Sequence, residues 1–171
     1  LEPHDVLFQM MQYSDIIFGD QNEWEIASGV PHIPFEALDE NYVIDKEAYL
    51  EYFRKMHHLF PKCKKMVMAV RNQIASSHHT LSGLLYDAVE DQLYTTRIYD
   101  IEPIVDPMGV GDAFVAAYIH AHQKWGDKNQ YCLDFSLSAS AIKNTIPGDQ
   151  NLVSEEEIIS NMTSSGGRIQ R

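Results

Sequence analysis

The chain has 171 residues, 44% hydrophobic and 22% charged, a globular composition that excludes a disordered, collagen-like or linker-dominated polypeptide. Thirteen Lys plus Arg against 25 Asp plus Glu leave a formal charge of −12, which repels a phosphate backbone and anionic lipid over most of the surface. Nucleic acid and membrane are therefore set aside as partners, and no apolar run approaches the roughly 20 residues of a membrane helix.

The opening, LEPHDVLFQMM, lacks the basic start and apolar stretch of a signal peptide, and Cys63 and Cys132 belong to no CxxC pair. A cytoplasmic chain with reduced thiols is expected. Leu1 is not Met and a helical pattern begins at once, so residues 1–171 read as the C-terminal portion of something longer.

Val6, Phe8, Met10 and Met11 behind Pro3 predict a short helix over residues 3–13, followed by a buried strand from Ile16 to Phe18 that ends at Gly19. Residues 26–44 read as the one long loop. From Asp45, a plausible N-cap, the stripe Tyr49, Tyr52, Phe53, Met56 and Phe60 has helical spacing and stops at Pro61. Residues 65–70 (KMVMAV) predict a second buried strand, which completes a strand, helix, strand crossover of the kind that builds a parallel sheet. LLYDA and QLYTTRI, residues 84–88 and 92–98, flank a polar turn as in a hairpin, and Ile101 to Val105 reads as another strand.

Three helices follow in the pattern. Phe114, Ala117, Tyr118, Ala121 and Trp125 share one face, Phe135 to Asn144 is rich in small residues, and Ser154 with Glu157 forms a capping box ahead of Ile158. Strands alternating with helices give an α/β layered fold.

The segment that carries chemistry is Asp106 to Phe114, DPMGVGDAF. Gly109 and Gly111 let the backbone turn tightly and bring N–H groups close to an anion, and the helix start behind them adds unpaired donors and the positive end of a dipole. That describes a cradle for phosphate oxygens. Asp112 would repel such an anion, unless its task is to take the proton of a hydroxyl that attacks the phosphorus. The alternative is a flexible loop with Asp as a helix cap. Against it, the fixed positions of D-x-x-G-x-G-D arise by chance in roughly one chain of this size in several hundred. A dinucleotide fingerprint fails because Phe114 stands where the third glycine belongs, and no P-loop exists in the chain.

At these residues the sequence resembles the ribokinase-like (PfkB) family of sugar kinases, whose signature is Asp, two variable residues, Gly-x-Gly-Asp, a small residue and Phe. The resemblance implies a mostly parallel central sheet flanked by helices, of which this chain is the C-terminal part, with one hairpin. It implies Asp112 as catalytic base and part of the sugar site, and the amides of Gly109, Val110, Gly111 and Asp112 as the anion hole for the transferred phosphoryl group. FSLSASAIKNTIPGD, residues 135–149, is similar to the helix and Pro-Gly turn that line the family's adenine pocket, which puts Leu137 and Ala141 against the base. Asp106 matches the family's monovalent-cation ligand. ATP and Mg2+ are the implied cofactors, with K+ as a third at Asp106.

Within that family, IVDPMGVGDAFVAAYIHA, KNTIPGDQN, AVRNQIASSHHTLSGLLYDA and the closing GGRIQR are most similar to 2-dehydro-3-deoxygluconokinases. A sugar acid and ATP are then the small-molecule partners, with room for a homo-oligomer. Another sugar or nucleoside kinase of the family, or a non-catalytic nucleotide-binding module derived from one, are the alternatives. The family's N-x-x-E metal motif has two registers here, Asp20/Glu23 and Asn22/Glu25. The first keeps Gly29 and Val30 at the end of the following helix, so Glu23 is the expected acid. The eight histidines, with adjacent pairs at 57/58 and 78/79 and a His120-x-His122 spacing, lack the converging arrangement of a zinc site.

Overall fold

A computed structural model describes residues 2–33, 42–126 and 128–164. Its elements are α1 (Pro3–Met11), β1 (Ile16–Gly19), α2 (Gln21–Ser28), α3 (Lys46–Leu59), β2 (Lys65–Ala75), β3 (His78–Asp87), β4 (Gln92–Thr95), β5 (Tyr99–Ile101), α4 (Val110–Trp125), α5 (Asn129–Lys143) and α6 (Glu155–Thr163). The strand order is β1-β2-β3-β4, with β5 pairing β3. β1 runs parallel to β2, Ile17 opposite Met66, and β5 runs antiparallel to β3, Thr80 opposite Asp100. The architecture is the expected mixed α/β one, a sheet flanked by helices.

The chain folds as two compact units, and β2 and β3 each contribute to both. The first holds α1, β1, α2, α3, the start of β2, the end of β3 and nearly all of β4. Its core is the aromatic stripe that the helical spacing predicted. Tyr49, Tyr52, Phe53 and Met56 of α3 are buried with Trp24 of α2, Met66 and Met68 of β2 and Tyr86 of β3. Phe53 stacks nearly parallel on Tyr86 with ring centroids 5.8 Å apart and meets Trp24 edge-on, geometries that aromatic quadrupoles favour.

The second unit holds the rest of β2 and β3 together with β5, α4, α5 and α6. Serines of α5 divide its sides: Ser136 donates to the Phe114 carbonyl and Ser140 to the Val110 carbonyl of α4, while Ser138 donates to the Ile158 carbonyl of α6. Residues four apart share a helix face, so one side of α5 is fastened to α4 and the other to α6. Ser154 caps α6, with Glu157 closing the predicted box.

Several boundaries differ from expectation: β3 begins at His78 rather than at residue 84, β4 ends at Thr95 rather than at residue 98, and α5 begins at Asn129 rather than at Phe135. β2 continues past Val70 to Ala75, and α2 occupies the start of the expected loop, whose residues 34–41 lie outside the described residues. β5 spans Tyr99–Ile101 instead of Ile101 to Val105, because Pro103 has no N–H to give a ladder. Among the described residues no helix is long and apolar enough to cross a membrane.

Candidate active site

The loop from Asp106 to Gly109 leads into α4, whose N-cap is Gly109 in the left-handed conformation, φ 74°. The first helical bond runs from the Ala113 N–H to the Gly109 carbonyl, 2.9 Å. Val110, Gly111 and Asp112 are thus the first three helical residues, and their N–H groups have no carbonyl within the helix to meet. Gly111 and Asp112 are both exposed on this first turn.

The two glycines do different work. A β-carbon on Gly109 would lie 2.1 Å from the Asp149 carbonyl oxygen, so this position is reserved for glycine by its own protein as well as by its φ. A β-carbon on Gly111 would meet nothing within 4 Å, and its φ is ordinary. The space over Gly111 is where an anion can reach the free donors.

A brace from the end of α5 holds the loop. The Asn144 carbonyl accepts from the N–H groups of Val105 and Asp106, at 2.8 and 3.2 Å. Asp106 returns the contact: one carboxylate oxygen accepts from the Met108 N–H at 3.0 Å, the other from the Gly148 N–H at 2.8 Å. Gly148 is left-handed, φ 81°, as the Pro-Gly turn requires. The Met108 and Gly148 amides, assisted by the charge of Lys143, hold the Asp106 carboxyl below its ordinary range. A depressed carboxyl stabilises the fold above its unfolded pKa, and the contribution is lost as pH falls through the lower folded value. Asp106→Asn should therefore lose its deficit relative to the parent protein on acidification below about pH 4, as read by urea melts at stepped pH.

Leu137 and Ala141, which the resemblance puts against adenine, have no exposed surface. The small residues around them let α5 approach α4 and α6 closely. A cavity of about 270 Å³ in the same unit is lined on α5 by Phe135 and Ala139 instead, with Ala113, Ala116 and Ala117 of α4 opposite.

Glu23 lies on the first unit, at the start of α2. It forms a reciprocal box with Asp20: the Asp20 carboxylate accepts the Glu23 N–H and the Glu23 carboxylate accepts the Asp20 N–H, each at 2.9 Å. Asp and Asn are comparable caps, so Asp20 keeps this helix start where the family has Asn. In the other register Glu25 faces away to pair with His32, which lowers its pKa. Sequence reasoning missed Lys143, Asn144, Gly148 and Asp149 as supports of the loop. Only the Pro-Gly turn signalled that this segment had a special shape.

No protein-family model matches the chain, and no curated protein does. Solved structures do match. The 2-dehydro-3-deoxygluconokinase of Thermotoga maritima superposes with a TM-score of 0.79 at 27% identity, over 94% of this chain and 45% of that one. The chain has the ribokinase-like fold of the PfkB carbohydrate kinases. A PfkB family carbohydrate kinase from Listeria grayi matches at TM-score 0.74 and 24% identity, over 91% of this chain and 43% of that one. Plasmodium falciparum PdxK, solved with AMP-PNP and PL, matches at 0.55 and 19%, over 94% and 50%. The chain thus spans about half the length of these structures, and it corresponds to the C-terminal half of the Thermotoga enzyme.

Proposed function

We propose that this chain is the nucleotide-binding and catalytic-base part of an ATP-dependent sugar kinase that phosphorylates the terminal hydroxyl of 2-dehydro-3-deoxy-D-gluconate. The observation that carries the reading is the first turn of α4, where an exposed carboxylate, Asp112, shares an anion-binding helix start with the open Gly111. A site built only to hold an anion gains nothing from that carboxylate. A site that must deprotonate an attacking hydroxyl needs it. The likeness to the Thermotoga kinase supports the choice of a sugar acid.

In this mechanism the amides of Gly109, Val110, Gly111 and Asp112 hold the oxygens of the γ-phosphate. As the sugar oxygen bonds to phosphorus, its proton passes to Asp112 and the bond from phosphorus to the β,γ-bridging oxygen breaks, releasing ADP. Mg2+ would neutralise charge on the phosphates of a bound nucleotide. Among the described residues no three His, Cys, Asp or Glu gather into a metal cage. Glu23 is the acid that the resemblance assigns to that role, and one of its carboxylate oxygens accepts the Asp20 N–H.

The test is a coupled ADP-release assay on the complete gene product with 2-dehydro-3-deoxygluconate, ribose and fructose, beside residues 1–171 alone. Turnover is expected with the sugar acid for the complete protein. The short chain should bind ATP weakly without turnover, because the sugar must be enclosed to exclude water and align its hydroxyl. Turnover with ribose or fructose alone would assign a different sugar. ATP binding with no turnover on any of them would leave a nucleotide-binding module.

A further inference from the structure

Lys143, the last residue of α5, is fully buried, and the mechanism above gives it no task. Burying an ammonium is costly unless oxygens replace its water. Its Nζ donates to the Ile146 carbonyl at 3.1 Å and reaches the Asp106 carbonyl at 3.4 Å. One of these belongs to the loop that leads into α4, the other to the Pro-Gly turn that packs on Gly109. Its charge also acts on the Asp106 carboxylate, whose two oxygens already accept the Met108 and Gly148 amides.

The resemblance assigns Asp106 to a monovalent cation, and the residues present do not fit a separate one. Such an ion would have to gather backbone carbonyls from both segments and offset the Asp106 charge. The ammonium does both from within the fold.

We propose that Lys143 is a tethered cation, a positioning residue that fixes the phosphate loop against the Pro-Gly turn and makes the protein independent of potassium. It touches neither sugar nor nucleotide and acts through the carbonyls it gathers. Removing the charge opens a place that a free monovalent cation of similar size can fill, so the variant should acquire the cation requirement that the parent chain lacks.

The experiment compares the complete gene product with its Lys143→Met form in potassium, ammonium and tetramethylammonium chloride, each at about 0.1 M so that screening is equal. Thermal unfolding and ATP titration are the readouts, and unfolding does not depend on the kinase reading. The parent protein should melt at the same temperature and bind ATP equally in all three salts. In tetramethylammonium, Lys143→Met should melt lower and bind ATP roughly tenfold or more weakly, the scale of a lost charge-assisted hydrogen bond. Potassium or ammonium should restore both, since tetramethylammonium is too large to enter. Lys143→Gln, which keeps a donor without the charge, decides the matter by the same comparison if Lys143→Met does not fold. A parent protein that needs potassium, or variants that are unimpaired or not restored by any cation, would overturn the proposal. Cation-restored melting without ATP binding in any form would uphold Lys143 while removing the kinase reading.

Discussion

On the proposed function, Asp112→Asn should reduce turnover of the complete protein by roughly 10²- to 10⁴-fold, the range of general-base catalysis, while ATP affinity stays within a factor of about two. The amide keeps the shape of the carboxylate and loses its basicity. Asp112 is exposed on the first turn of α4, so the substitution leaves the core intact. Removing a negative charge from a helix N-terminus costs about 0.3–1 kcal/mol of dipole stabilisation, too little to explain such a loss by unfolding. Steady-state kinetics with an isothermal ATP titration separate the two readouts. A variant that keeps most of its kcat would remove Asp112 from the role of base.

Substitutions at the two glycines should part company in stability while agreeing in function. Gly111→Ala places its methyl group in open space on a helical residue, where Ala is favoured over Gly by about 0.8–1 kcal/mol in a helix interior. The melting temperature should hold or rise. The same methyl stands where the anion approaches, so ATP affinity and turnover should fall, turnover by roughly 10²-fold if one donor is denied to the transferring group. Gly109→Ala has both a left-handed φ and the Asp149 carbonyl against it, so it should lower the melting temperature as well as activity. Thermal melts beside ATP titrations on both variants make the check. Unchanged ATP affinity and rate in Gly111→Ala would sink the anion-hole reading.

Much of this was legible in sequence where the cause is local. The D-x-x-G-x-G-D spacing predicts a loop, a helix start and a carboxylate because backbone freedom and dipole direction are properties of neighbouring residues. The α3 stripe likewise predicts its own burial through spacing alone. What was illegible is held by contacts between distant segments. The Asp106 carboxylate meets the Gly148 amide 42 positions away, and Lys143 reaches back 37 to the Asp106 carbonyl. Nothing in DPMGVGD announces either partner. Leu137 and Ala141 mark the converse limit. A run of small residues permits close approach without saying of what, and the serine bonds of α5 show that the approaching partners are α4 and α6.

On the proposed function, the way α4 begins bears on how nucleotide would bind. α2, α3 and α6 are closed at their N-termini by side chains of Asp20, Asp45 and Ser154, whereas α4, like α1 and α5, has no side-chain cap, and its cap residue is a glycine that offers no oxygen. A helix with an acceptor built into its start has already spent its first donors. α4 keeps them, and an arriving phosphate completes the helix as a missing residue would. If nucleotide binds there as proposed, it completes that turn, and slower amide exchange at Val110, Gly111 and Asp112, whose N–H groups have no helical acceptor, should mark occupancy even when no sugar is turned over.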